Sequence, residues 1–398
     1  MKTVLLAFSG GLDTSFCIPF FLEKGYEVIT ATVDTGGFST EELQAIAKKS
    51  ADLGAKEHVA LDAQEELYQH FVVKIVQANY LRGGTYPSCV GPERIVAAKA
   101  IAKLALERGI TTIAHGSTGA GNDQVRFDGA LRAYIPAVEI LAPIRDEGLT
   151  RAQEVEYLKK KGVEVSAHSK DYSINVGILG TTIGGKETKA TLGLPPDEVY
   201  PHVKPIHQTP DEAESIVIGF ETGEAVSVNG KKLGGAGVIH ELNSVAEKHG
   251  VGKNTHLGAT ILGIKGRIAF EAPALSVLIR AHQELEKSVL TSRQSFWKNH
   301  LGTVWGDMIH EGQFFDPVVE DIEAMIDSSQ RYVTGTVSVE LLKGNITVLG
   351  SESEYSLLDT SIGTYGEENA LWNGADARGF CKLYGLEGSI AFQKHQKK

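Results

Sequence analysis

Sulfur is scarce in this chain of 398 residues, which holds three cysteines and three methionines. Cys17, Cys89 and Cys381 lie far apart. That spacing excludes a disulfide framework and a zinc-ligand cluster and fits a reducing compartment, the cytoplasm. Positive charge is also short: 39 Lys and Arg stand against 50 Asp and Glu, a net charge of −11. Apart from Lys394 to Lys398 there is no basic block, so an extended nucleic-acid interface is not expected. No apolar run reaches membrane-spanning length. The sequence opens directly on a strand-like run, so neither a signal peptide nor a membrane partner is expected. Repeats and low-complexity tracts are missing as well. What is present, 42% hydrophobic residues, suffices for two or more domains with substantial cores.

Glycine is plentiful, and it clusters. Ala7 to Ser15 reads Ala-Phe-Ser-Gly-Gly-Leu-Asp-Thr-Ser, between the apolar runs Thr3–Leu6 and Phe16–Leu22. This predicts a strand, a turn and a helix. Gly10 and Gly11 allow backbone N–H groups to close around an anion, and the helix N-terminus adds partial positive charge. The turn lacks the Gly-Lys-Ser/Thr ending of a Walker loop. It looks instead like the PP-loop of ATP pyrophosphatases; the plain alternative is a βα turn that merely holds two glycines.

Strand-like and helical stretches alternate after it. Tyr26–Val33, Glu57–Leu61 and Thr111–Ala114 read as strands. Ser39 with Glu42, and Thr150 with Gln153, are capping-box signatures. Helices are predicted for Gln64–Asn79 and Glu93–Arg108, and Val163–Val165 as a further strand. The alternation predicts an α/β fold with a doubly wound parallel sheet over residues 1–165. Beyond it, Asn229-Gly230 marks a hairpin. Helices are expected at Val238–His249, Pro273–Leu290, Ser292–His310 and Pro317–Ser328, and a second hairpin at Val333–Leu349. Residues 166–375 are therefore expected to be an α+β domain. Residues 376–398, with Phe380, Leu383, Tyr384 and Leu386, are expected to form an apolar arm.

A second cluster, His115 to Arg126, reads His-Gly-Ser-Thr-Gly-Ala-Gly-Asn-Asp-Gln-Val-Arg. It follows the Thr111–Ala114 strand, and so lies at the carboxyl edge of the sheet, where open α/β sheets bind ligands. Its amide and carboxylate can accept from an amino group, and its guanidinium can grip a carboxylate bidentately. That is the equipment for holding an amino acid; a loop with capping Asn and Asp is the plain alternative.

Together with Tyr86-Pro87, Pro143-Ile144-Arg145-Asp146, Tyr172-Ser173-Ile174, Gly263-Ile264-Lys265-Gly266-Arg267 and Thr334-Gly335-Thr336-Val337, the two clusters resemble the argininosuccinate synthases. The resemblance spans nearly the whole chain. It implies an adenine nucleotide alpha-hydrolase-like domain followed by a synthetase and multimerisation domain, in a cytoplasmic homotetramer for arginine biosynthesis. It implies ATP and Mg²⁺, with citrulline and aspartate joined through a citrullyl-adenylate. Carried onto this chain, Ala7, Phe8, Ser9, Gly10, Gly11, Leu12, Asp13, Thr14, Ser15, Val33 and Gly116 would bind ATP. Thr118, Asn122 and Asp123 would hold aspartate. Tyr86, Asn122, Arg126 and Ser173 would hold citrulline. Asp13, Ser15 and Asp123 are the expected catalytic residues, with Asp13 the first candidate for a Mg²⁺ or pyrophosphate-side role; no metal-ligand set is otherwise assigned.

The citrulline side departs from the family. Gly91 stands at a family Ser and Thr182 at another, while Gly258 stands at a Glu and Phe270 at a Tyr. Taken literally, these changes remove a carboxylate and two hydroxyls. An N-acylated citrulline, whose α-nitrogen carries no charge, is therefore an alternative acceptor. Another PP-loop ATP pyrophosphatase and a non-catalytic nucleotide sensor are more distant readings. His115, Arg82 and Arg94 are lesser candidates for substrate contact.

Overall fold

The structure, a computed structural model, describes residues 2–163, 172–367 and 371–396. The remainder of the expected Val163–Val165 strand lies outside them. Strand β1 (Lys2–Ala7) is the centre of the first sheet, with Val4, Leu5 and Leu6 buried. An apolar run covered on both faces is what a central parallel strand requires. Around it stand β2 (Tyr26–Asp34), β3 (Glu57–Asp62), β4 (Thr112–Ala114) and β5 (Glu139–Leu141). The order is β3-β2-β1-β4-β5 and each pairing is parallel. Helices α1 (Leu12–Glu23) and α2 (Thr40–Asp52) follow β1 and β2.

The helical stretch after β3 runs as α3 (Gln64–Leu67), a π-helical Tyr68–Val72 and α4 (Val73–Gln77). Next come α5 (Gly91–Arg108), α6 (Asp123–Tyr134), α7 (Pro143–Asp146) and α8 (Arg151–Lys160). Val4 and Leu6 pack with Phe16, Phe21 and Leu158 of α1 and α8. Leu5 packs the other way, with Ala98, Ile101 and Leu131 of α5 and α6. The sheet is thus doubly wound, and the order reverses between β1 and β4. Loops leaving those two strands diverge there and open a crevice.

Both capping boxes form, at Ser39 with Glu42 and at Thr150 with Gln153. By contrast α1 begins at Gly11 with no side-chain cap. Its first-turn N–H groups are left for something other than the protein's own side chains.

The Tyr172–Gly185 stretch, Gly-, Ser- and Thr-rich and without helical period, is a hairpin of β6 (Tyr172–Gly177) and β7 (Gly180–Gly185). It belongs to an antiparallel sheet β11-β12-β7-β6, where β11 is Lys253–Ala259 and β12 is Lys265–Glu271. The Asn229-Gly230 turn joins β9 (Glu224–Val228) to β10 (Lys231–Lys232), as expected. These strands join β8 (Glu214–Glu221), β13 (Gly335–Leu342) and β14 (Asn345–Glu352) in a second antiparallel sheet, β10-β9-β8-β13-β14.

The late helices lie close to their expected limits: α9 (Ala236–Lys248), α10 (Pro273–Val289), α11 (Ser292–His310) and α12 (Pro317–Gln330). Helix α10 buries Leu275, Val277, Leu278 and Leu285 in the largest core. Residues 1–354 form one compact unit that contains all three sheets. Residues 355–398 form a second, with α13 (Gly374–Leu383) and α14 (Leu386–His395), whose Phe380, Leu383, Tyr384 and Phe392 are exposed.

Candidate active site

Gly10 takes φ +72°, a conformation that favours glycine, and a Cβ there would sit 3.0 Å from Ile46. The loop is held from the side by Lys49, whose Nζ donates to the Gly10 carbonyl at 2.6 Å. Its hydroxyls make only long local bonds: Ser9 Oγ to Thr14 Oγ1 at 3.3 Å, and Ser15 Oγ to the Gly10 carbonyl at 3.4 Å. Such bonds are weak and readily exchanged for phosphate oxygens. Phe8 is different. Its backbone is engaged on both sides, N–H to Ala31 and carbonyl to the Thr32 hydroxyl, and its ring meets His58 edge-on.

The second cluster lies directly against the first. A Cβ on Gly116 would come within 3.0 Å of Thr14 Cγ2 and 3.1 Å of the Thr14 backbone nitrogen. A side chain at Gly116 would press on Thr14 and Asp13, so glycine favours this close approach of the two loops, and they share one crevice. Behind Asp13 stands Glu154 of α8, buried, with Oε2 lacking any partner among the described residues. Burial first, and then the Asp13 carboxylate, push its carboxyl up to about 8. His115 is structural: Nε2 meets Asp128 at 2.8 Å, Nδ1 accepts from the Ser117 N–H, and Arg145 holds the other Asp128 oxygen at 3.0 Å.

Around the corner, Asp123 at the start of α6 accepts from two guanidiniums. Arg94 Nε donates to one oxygen at 2.9 Å and Arg126 Nη1 to the other at 3.0 Å. Burial would raise the Asp123 carboxyl, but Arg94 and Arg126 outweigh it and hold it below its ordinary value. Arg94 reaches on to Asn175 Oδ1 at 2.9 Å, and Arg126 Nε to the His310 carbonyl at 2.8 Å. Asn122 Oδ1 accepts from the Ile261 N–H at 3.0 Å, and Thr118 stands exposed.

The rest of the acceptor side comes from one sheet face. In the antiparallel register Asn175 opposes Thr182, Thr182 opposes Phe270, and Phe270 opposes Asn254. Opposed residues share a face, as do residues two apart. Ser173, Asn175, Thr182, Phe270, His256 and Gly258 therefore lie on one side. The Tyr86 ring meets that side, stacked on His256 at 5.6 Å and tilted on Phe270 at 5.1 Å. His256 also occupies the space over Gly258, where a Cβ would meet Nε2 at 2.4 Å. Gly91 seats against His310 and Arg126, at 3.3 and 3.7 Å from a built Cβ. His310 is held far below its usual value, by burial first and then by Arg126 and Arg82.

Arg82 is committed elsewhere, donating to Asp307 at 2.9 Å. Arg94, from sequence a lesser candidate for substrate contact, stands at the centre of the acceptor corner. No local sequence pattern joins Asn175, His256 and His310 to either glycine cluster; only the fold brings them there. A cavity of ≈ 410 Å³ bordered by Gly36, Ser39, Gly177, His202, Glu247 and Glu271 is lined by none of the predicted site residues.

Two family models cover the chain. The arginosuccinate synthase N-terminal HUP domain matches residues 3–164, and the arginosuccinate synthase C-terminal domain matches residues 172–391. An argininosuccinate synthase of Xanthomonas axonopodis pv. citri is 41% identical, over 98% of this chain and 95% of its own length. That of Pyrococcus furiosus is 39% identical, over 98% and 94%. That of Methanocaldococcus jannaschii is 37% identical over the whole of both chains. With both halves matched, and with relatives this similar along their full length, the chain belongs to the argininosuccinate synthase family.

Proposed function

We propose that the shared crevice holds ATP against the first glycine cluster and two amino acids against the second, so that citrulline and aspartate are joined at the expense of ATP. The function is argininosuccinate synthesis, and the protein is a ligase. The citrulline ureido oxygen attacks the α-phosphate and expels pyrophosphate; the aspartate amine then attacks the citrullyl-adenylate and releases AMP.

The observation that carries this reading is the contact of Gly116 with Thr14 and Asp13. It supports placing the α-phosphate within reach of the acceptor corner. Such chemistry depends on positioning and charge neutralisation more than on a strong base. The uncapped N–H groups of α1, with the Ser9, Thr14 and Ser15 hydroxyls, would hold phosphate oxygens. Mg²⁺, when bound, would neutralise the departing pyrophosphate. Asp13 and Glu154 are the residues that would hold it, since the buried Glu154 carboxyl lies beside Asp13 and its Oε2 has no hydrogen-bond partner among the described residues. Asp123 would take the aspartate amine and Arg126 the citrulline carboxylate, with Tyr86, Ser173 and Thr182 along the citrulline chain.

Plain citrulline is the acceptor in this reading; the relatives favour neither an N-acylated acceptor nor a different PP-loop chemistry. No helix of the described residues is long and apolar enough to cross a membrane, which is compatible with a cytoplasmic enzyme. The exposed apolar side chains of α13 and α14 suit an arm exchanged within a homotetramer. The test is ATP–pyrophosphate exchange. Exchange that depends on citrulline, without aspartate or RNA, is expected; exchange indifferent to citrulline would overturn the reading.

A further inference from the structure

One buried acid in the acceptor corner has no place in the chemistry above. Glu93, in the first turn of α5, is 1% exposed. Its Oε1 has no hydrogen-bond partner among the described residues. It lies so close to β6 that a Cβ on Gly177 would meet it at 1.8 Å. Its Oε2 is 3.8 Å from Arg94 Nη1, too far for a hydrogen bond. Arg94 turns instead to Asp123 and Asn175.

A buried ionised carboxylate left in this state would be costly, whereas a neutral carboxyl is tolerated. Charge in the corner follows from that. With Glu93 neutral, two guanidiniums, Arg94 and Arg126, face one carboxylate, Asp123, and one positive charge is left over. With Glu93 ionised, the corner is balanced and has nothing to offer an incoming anion. The groups facing Glu93 are Arg94 on its own helix, Tyr86 and Cys89 from the loop before it, and Asp123 from α6. Gly177 of β6 brings no charge.

We propose that Glu93 is a positioning residue for the aspartate substrate: in its neutral form it leaves the Arg94 charge free to hold the substrate's carboxylate beside Asp123. Burial, the main cause, keeps Glu93 protonated up to about pH 8. This rests on the ligase reading of the same site.

The test is KM for aspartate at pH 7 and pH 9, with exchange supported by citrulline alone as the control. In the wild type, KM for aspartate rises about tenfold over that interval, as expected for a group half-ionised near 8. Exchange at saturating citrulline, which needs no aspartate, stays level. Glu93→Gln, neutral at every pH, abolishes the rise. A purely structural Glu93 would lower thermal stability on substitution without flattening that ratio. A wild-type KM for aspartate that does not change needs no variant and overturns the proposal. So does a Glu93→Gln enzyme that keeps the rise. Absence of citrulline-dependent exchange would instead defeat the ligase reading itself.

Discussion

The nucleotide half of the crevice and its acceptor half are assembled in different ways. Nine consecutive residues, Ala7 to Ser15, make most of the first, and Gly116 closes it. The second is gathered from α5, α6, the hairpin β6–β7, the pair β11–β12 and the end of α11, with side chains more than two hundred residues apart in contact. Ser88 and His310, which meet at 3.1 Å, are an example. A turn read by its own backbone survives as a contiguous motif. A pocket read by cross-strand register has no motif, and its chemistry is spread over single residues free to vary separately.

Several substitutions break or sharpen that contrast. The largest effect is expected at Gly116→Val. Its side chain would press the two loops apart at Thr14, so citrulline-dependent exchange should fall by about a thousandfold, beyond the roughly hundredfold that a 1 Å misplacement can cost. Asp123→Ala removes the one anion between two guanidiniums. Overall synthesis should drop by about a hundredfold or more, with KM for aspartate the parameter most affected. Next comes acceptor choice: turnover on citrulline should exceed that on an N-acyl-citrulline, measured side by side with ATP and aspartate. The reverse preference would mean that His256, stacked on Tyr86 above Gly258, selects against a charged α-amine.

The smallest effect is on stability, and its sign can be worked out. The Glu93 carboxyl is raised from 4.5 to about 8. Its folded state therefore holds a proton that the unfolded chain has released. Stability from this group is complete below about pH 4.5 and is lost as pH rises through 8, at about 1.4 kcal/mol per pH unit. Buried neutral histidines such as His310 act in the opposite sense, but below about pH 6.5. Between pH 6.5 and 8, denaturant unfolding should show wild type losing ground to Glu93→Gln.

How far the sequence reveals this molecule follows the same division. The β1–turn–α1 unit, the parallel sheet, the capping boxes at Ser39 and Thr150 and the late helices are local signals, and all are present in the structure. The β6–β7 hairpin was masked by composition: Tyr172, Ile174 and Val176 do alternate with small or polar residues, but the many Gly, Ser and Thr of Tyr172–Gly185 read as loop. Its partners lie eighty residues on, in β12. Arg94 and Glu93 look from sequence like ordinary helix-start charges. Only packing against Gly177 and Asp123 distinguishes them. The departures expected at Gly91 and Gly258 did not say what lies against them: His310, from the end of α11, stands beside Gly91, and His256, two residues before Gly258 on β11, covers that glycine.

The claim on which the account depends is that the citrulline ureido oxygen attacks the ATP held by Ser9 to Ser15. Citrulline carrying ¹⁸O in its ureido group, turned over with ATP and aspartate, tests it in one measurement. The label is predicted to appear in the phosphate of AMP, one atom for each argininosuccinate formed. Unlabelled AMP, with the heavy oxygen in water or pyrophosphate, would contradict it.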